Sequence, residues 1–103
     1  MKKQSNSEQR LCLVGLLREC RQAAQLTQIE VADRLQSTQS EVSKVERGVK
    51  SLDVLELRQW VAAMGLDFEE FIAELERRLS SIESLSAHWS RPLRAAGKKR
   101  ARR

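Results

Sequence analysis

Residues 26–48 read LTQIEVADRLQSTQSEVSKVERG and contain two short amphipathic segments. The apolar side chains of the first segment, residues 28–35, recur at helical spacing and are Ile29, Val31, Ala32 and Leu35. The second segment, residues 39–47, has only Val42 and Val45 as apolar positions. The pattern predicts two helices joined by a very short turn.

The second segment predicts an unusually polar helix. At about 100° per residue, Gln39, Ser43, Arg47, Ser40 and Lys44 share an arc of roughly 140°, opposite both valines. This face suits a DNA major groove, because Gln pairs with adenine, Lys and Arg reach guanine or phosphate, and Ser serves either partner. An ordinary solvated helix face has the same periodicity, so the pattern alone leaves both interpretations open.

Three further helices are predicted around this pair, and no segment has the alternation of a strand. Their apolar stripes are Leu13, Leu16, Leu17, Cys20 and Ala24 in the first helix, Leu57, Trp60, Val61 and Met64 in the fourth, and Phe68, Phe71, Ile72, Leu75, Leu79 and Ile82 in the fifth. The first should end near Gln25, and Gly48 and Gly65 should close the third and fourth.

Helix starts are predicted from capping boxes, in which a Ser, Thr or Asp precedes a Glu by three residues. The pairs are Ser5 with Glu8, Thr27 with Glu30, Thr38 with Glu41, and Asp67 with Glu70. Ser51 is predicted to cap the fourth helix.

The chain has 103 residues and a net charge of +5, which predicts one domain over residues 1–90 with a tail. Residues 91–103 hold seven Lys or Arg and no acid, so residues 1–90 carry a net −2. Residues 91–103 are predicted to be a disordered basic tail that neutralises DNA phosphates. A solubilising tail that never reaches the duplex, or one that binds RNA or an acidic protein, is left open. Seven acids between Asp53 and Glu76, against Arg58, should face away from DNA.

Several function classes are excluded by composition. Cys12 and Cys20 would lie about 12 Å apart on one helix, too far for a disulfide. His88 is the single histidine, so we expect no metal site and no cofactor. No nucleophile has a base partner, which argues against an enzyme. The apolar run after the N-terminal lysines is too short for a signal peptide or a membrane span, so we expect a cytoplasmic protein without membrane contact.

Residues 11–76 resemble the helix-turn-helix domain of the lambda-repressor and Cro class, the Xre family. The resemblance rests on LREC, on residues 26–48 and on LDVLELRQWVAAMGLDFEEFI. It implies an all-α, five-helix lambda-repressor-like DNA-binding domain, with the helix-turn-helix proper at residues 27–47. One departure is Gln36, where the family usually has Gly. A left-handed Gln36 would cost on the order of 1 kcal/mol, so the turn either differs or tolerates strain.

The resemblance also implies roles for individual residues. Those expected to contact bases or phosphates are Gln28, Thr38, Gln39, Ser40, Ser43, Lys44, Arg47 and Lys50. Gln28 is expected to hold a phosphate, and Arg47 and Lys50 to contact the backbone beyond the recognition helix. Arg21 and Glu46 are expected to pair and tie the first helix to the third.

Together these features predict a transcriptional regulator, a repressor that binds double-stranded DNA as a homodimer. Two copies would read a two-fold operator with half-sites roughly 34 Å apart. Leu75, Leu79 and Ile82 extend the stripe of the fifth helix and are predicted to form the dimer interface. Two alternatives remain open. One is an antitoxin that also binds a toxin, and the other is a restriction–modification controller protein.

Overall fold

The computed structural model describes residues 2–83, and their side chains from residue 7 to residue 82. This part of the chain forms five α-helices and no β-strand, which confirms the predicted all-α class. The helices are α1 (Lys2–Ala23), α2 (Gln28–Leu35), α3 (Gln39–Glu46), α4 (Val54–Ala63) and α5 (Phe68–Glu83). The predicted basic tail at residues 91–103 lies outside the described residues.

Two helices begin with complete capping boxes. At α2, the Thr27 hydroxyl accepts from the Glu30 N–H at 3.0 Å, and the Glu30 carboxylate accepts from the Thr27 N–H at 2.8 Å. Asp53 and Glu56 make the same reciprocal pair at α4, at 2.8 and 2.9 Å. The prediction that Ser51 caps α4 is therefore wrong, because Asp53 supplies both the carboxylate and the reciprocal N–H.

The other predicted boxes differ from expectation. Helix α1 already begins at Lys2, so Ser5 lies inside the helix and does not start it. At α3, the Thr38 hydroxyl accepts from the Glu41 N–H at 3.1 Å, but the Glu41 carboxylate turns to Lys50 instead of to the Thr38 backbone. At α5, Asp67 accepts from the Glu70 N–H at 3.1 Å.

Four helix ends share one left-handed closing geometry. The residues with positive φ are Gln25 (60°), Gln36 (58°), Gly48 (79°) and Gly65 (78°). In each case the next N–H donates back across the last turn, as Ser37 does to the Ala32 carbonyl at 2.8 Å. The helix-turn-helix therefore keeps a left-handed turn at Gln36 although the residue is not glycine.

The core lies where all five helices meet. Its most deeply buried side chains come one from each of the first four helices and are Leu17, Val31, Val42 and Val61. Trp60, Met64 and Phe71 complete it from α4, its C-cap and α5. Helix α3 packs against α1 and α2, and this places α3 at one edge of the domain.

Three residues predicted to be buried are exposed instead. Ile29 is 62% exposed, because it lies about 200° around α2 from the buried Val31. Ile72 is 36% exposed, about 100° around α5 from the buried Phe71. Ala24 is exposed because α1 ends one residue before it.

Polar side-chain contacts also join α2 to α4 and α5 to α1. Arg34 of α2 donates to the Ala63 carbonyl at the end of α4 at 2.8 Å. Arg78 of α5 donates to Glu19 of α1 at 3.0 and 3.2 Å and to Glu74 at 2.6 Å. Between residues 2 and 83, no helix combines the length and apolarity that a bilayer crossing requires.

Candidate nucleic-acid interface

Helix α3 is held by its two valines and turns a polar face outward. Val42 and Val45 are 0% and 3% exposed, so the predicted attachment of the helix is confirmed. Gln39, Ser40 and Arg47 are exposed, and Ser43 and Lys44 are half-buried on the same face. This face is continuous, polar and accessible to a large partner.

The end of α3 is tied to α1 by a buried ion pair. Arg21 donates from Nε and Nη2 to the two Glu46 carboxylate oxygens at 2.6 and 3.0 Å. Its Nη1 donates to the Leu26 carbonyl at 2.9 Å. The side chains of Arg21 and Glu46 are only 12% and 0% exposed. A two-point contact of this kind fixes the orientation as well as the position of the helix.

The surroundings of Glu46 keep its carboxyl ionised. Burial by itself would raise the pKa of Glu46, but hydrogen bonds from Arg21 and Gln28 outweigh it, together with the charges of Arg21 and Arg18. The resulting pKa lies below the ordinary value of a glutamate. The pair therefore stays charged at neutral pH.

Gln28 and Gln39 extend this network to the surface. Gln28 Nε2 donates to Glu46 Oε1 at 2.9 Å, and Gln39 Nε2 donates to Gln28 Oε1 at 2.7 Å. Gln39, the residue expected to read a base, is thus linked through one amide to a buried carboxylate. An amide carries two N–H donors, so each glutamine has a second one that these two bonds do not use.

The remaining residues expected to contact DNA lie along α3 and just beyond it. The Thr38 hydroxyl serves as the N-cap of the helix. The Ser43 hydroxyl accepts from Arg47 Nε at 3.2 Å. Lys44 and Lys50 both face the Glu41 carboxylate, at 3.7 and 2.8 Å. The fold therefore brings the eight predicted positions onto one edge of the domain.

Two residues at this edge were not anticipated from the sequence. Arg18 is half exposed on α1, and its Nε lies 3.8 Å from Glu46 Oε1, the atom to which Gln28 also donates. Its position one helical turn before Arg21 could have indicated this. Glu41 is the second, and its spacing of three from Lys44 was a signal for one of its two contacts. The contact with Lys50 crosses the end of α3, so no helical spacing predicts it.

The residues predicted to form a dimer interface are not on the polar face of α3. Leu75, Leu79 and Ile82 are each half-buried on α5. Leu75 and Leu79 line an apolar groove of about 370 Å³, with Leu13 of α1 and Leu52 on its other walls. Leu75 and Leu79 are therefore only partly covered by the rest of the described chain.

Comparison with known proteins places this geometry in a family. A helix-turn-helix family model matches residues 17–71, slightly more than half of the chain. The chain belongs to the XRE family of helix-turn-helix proteins. A solved XRE-family like protein from Pseudomonas syringae pv. tomato str. DC3000 is similar to it, with 36% identity and a TM-score of 0.70. The similarity covers 75% of this chain and 94% of that one. No curated protein matches the chain.

Membership of the XRE family identifies the protein as a DNA-binding regulator with a helix-turn-helix. The matched residues 17–71 include all eight helix-turn-helix positions expected to contact DNA and the Arg21–Glu46 pair. Leu75, Leu79 and Ile82 lie beyond the end of that match.

Proposed function

We propose that this XRE-family protein is a dimeric transcriptional repressor that reads a two-fold operator through α3. The observation that carries the proposal is the continuous polar face of α3, held in a fixed orientation by the Arg21–Glu46 pair. Gln39, Ser40 and Ser43 are small or amide-bearing side chains, which allow close approach to base edges. Such a regulator acts in the cytoplasm on the nucleoid and has no catalytic step.

The residues around this face divide into two roles. Gln39, Ser40, Ser43 and Lys44 supply donors and acceptors for base edges, and so choose the sequence. Gln28, Thr38, Arg47 and Lys50 flank them and contact phosphates, which position the helix without reading bases. Arg18 joins the phosphate contacts, because its side chain is half exposed and approaches the same Glu46 oxygen as Gln28.

Gln39→Ala tests the assignment of the recognition helix. The wild-type protein first selects an operator from a random duplex pool, and binding is then measured by titration. Loss of a paired base contact should weaken operator binding by roughly 1–3 kcal/mol. The thermal melt should stay nearly unchanged, because the Gln39 side chain is exposed.

Gln59→Ala is the matched control, since it removes the same amide from an exposed position on α4. It should bind the operator as the wild type does. Operator affinity that is equal for Gln39→Ala and Gln59→Ala would show that α3 is not the recognition helix.

A further inference from the structure

Glu41 differs from Glu30 and Glu56, which hold the same third position in α2 and α4. Glu30 and Glu56 each turn back to accept from the backbone N–H of their own N-cap residue. The Glu41 N–H donates to Thr38 in the same way, at 3.1 Å, but its carboxylate points elsewhere. A capping role therefore does not account for this carboxylate.

The Glu41 carboxylate holds two lysines that the proposed function assigns to DNA. Its Oε1 lies 2.8 Å from Lys50 Nζ and its Oε2 lies 3.7 Å from Lys44 Nζ. The hydrogen bond from Lys50 lowers the pKa of Glu41, and the same bond raises the pKa of Lys50. All three groups are half exposed and charged at neutral pH, so DNA phosphates compete with Glu41 for both lysines.

Glu41 sits at the margin of the face that meets DNA. On the helix it lies about 60° beyond Lys44 and next to the buried Val45. When α3 enters a major groove, this margin faces a groove wall, which is formed by phosphates. A carboxylate placed there is repelled unless a lysine lies between it and the phosphate.

We propose that Glu41 is a specificity-determining residue. Its carboxylate allows α3 to bind DNA only in the register in which Lys44 and Lys50 lie between this carboxylate and the DNA. The inference rests on the proposed function. In the operator complex, base contacts hold that one register, and an ammonium with three donors bridges Glu41 and a phosphate. On other sequences the protein samples many registers, and most bring the carboxylate against phosphates. Like-charge contact of this kind suppresses wrong partners.

The test is Glu41→Gln, measured on the selected operator and on a scrambled duplex of the same length and composition, at several salt concentrations. Affinity for the scrambled duplex should rise by about fivefold, which corresponds to roughly 1 kcal/mol. Operator affinity should change less, so the ratio of the two affinities falls. The variant keeps the backbone N–H that caps α3, and its melt verifies folding.

Two controls separate the mechanism from a change in net charge. Glu69→Gln removes one negative charge from an exposed site on α5 and should leave both affinities unchanged. In a Lys50→Gln background, Glu41→Gln should raise operator affinity as well, because one lysine that separates the carboxylate from the phosphates is gone.

Three outcomes would count against the role of Glu41. An equal gain on both duplexes would reduce it to a general charge effect. If Glu41→Gln left the affinity for the scrambled duplex unchanged, the Glu41 carboxylate would not weaken binding to other sequences. A loss confined to the operator would make it a direct base reader. These are distinct from failure of the proposed function, in which the wild type enriches no sequence from the pool, and which would overturn this inference as well.

Discussion

At the scale of single residues, the two left-handed glutamines carry a conformational cost that glycine avoids. Gln25 and Gln36 have φ of 60° and 58°, and the equivalent positions at the ends of α3 and α4 are Gly48 and Gly65. A side chain in this region costs roughly 1–2 kcal/mol. Glycine avoids that cost, but it loses more conformational entropy on folding, which costs about 0.5–1 kcal/mol.

Gln36→Gly should therefore raise the free energy of unfolding by about 0.5–1 kcal/mol. The reverse change, Gly65→Ala, should lower it by a similar amount. A Cβ at Gly65 would meet no atom within 4 Å, so only the backbone conformation is tested there. Urea unfolding of both variants is the measurement. A destabilised Gln36→Gly protein would show that the Gln36 side chain contributes more than its strain costs.

The sequence predicted a turn at Gln36 but not the backbone conformation that it adopts. The missing glycine left two possibilities, a different turn or a strained one, because the local sequence does not contain the energy of the surrounding packing. That energy comes from Val31 and Val42, both fully buried on either side of the turn. Their burial requires the two helices to meet at the angle that a left-handed Gln36 provides.

At the scale of helices, α3 depends on one carboxylate for its attachment to α1. Glu46 is fully buried and Arg21 nearly so. Removing one partner of a buried pair leaves the other without compensation, and typically costs about 3–5 kcal/mol. Glu46→Gln retains one acceptor for Arg21, so we expect a loss near the lower end, about 3 kcal/mol at pH 7.

This loss should depend on pH in a defined direction. The pKa of Glu46 is lower in the folded protein than the value of about 4.3 in an unfolded chain. The stabilisation is thus complete above that value, begins to fall as pH drops below it, and vanishes once pH is below the folded pKa. The difference between wild type and Glu46→Gln should accordingly shrink under acid conditions.

Chemical denaturation from neutral pH to about pH 3 measures this difference. Glu69→Gln, at an exposed position, should match the wild type throughout. A wild-type advantage over Glu46→Gln that is constant across the whole range would show that the Glu46 charge is not what holds α3.

The spacing of apolar residues predicted the positions of these helices well, but it predicted the burial of individual residues less well. The boundaries of α2 agree with the sequence prediction, since Thr27 with Glu30 and the change at Gln36 are local signals. Burial of Ile29 was predicted wrongly, because an apolar residue at helical spacing does not reveal which side of a helix meets its neighbours. The two-glutamine link from Glu46 to Gln39 joins residues from two helices, and no local pattern indicates it.

At the scale of the molecule, the apolar stripe of α5 continues past the core. Leu79 lines the apolar groove with Leu13 and Leu75, and Ile82, three residues further along α5, is half-buried. A second copy would cover this surface around a two-fold axis, with the same residues on both sides. The two α3 helices of such a dimer would then face the two half-sites of one operator.

Leu79→Glu should convert this dimer into a monomer, because the interface would bury an unpaired carboxylate. Analytical ultracentrifugation at micromolar concentration measures the change. Ala73→Glu introduces the same charge at an exposed position of α5 and should remain dimeric. A wild-type protein that sediments as a monomer, both free and on operator DNA, would contradict the proposed interface.

The link between Gln39 and Glu46 also limits how this protein could acquire a new operator in evolution. The orientation of the Gln39 side chain is fixed by its hydrogen bond to Gln28, and Gln28 is in turn oriented by the buried Glu46 carboxylate. A replacement of residue 39 therefore loses the hydrogen bond that orients this side chain, whereas the exposed Ser40 can vary without such a loss. New binding preferences should arise more readily through residue 40 than through residue 39. An engineer who transplants α3 into a relative would need to carry Gln28 and Arg21 along with it.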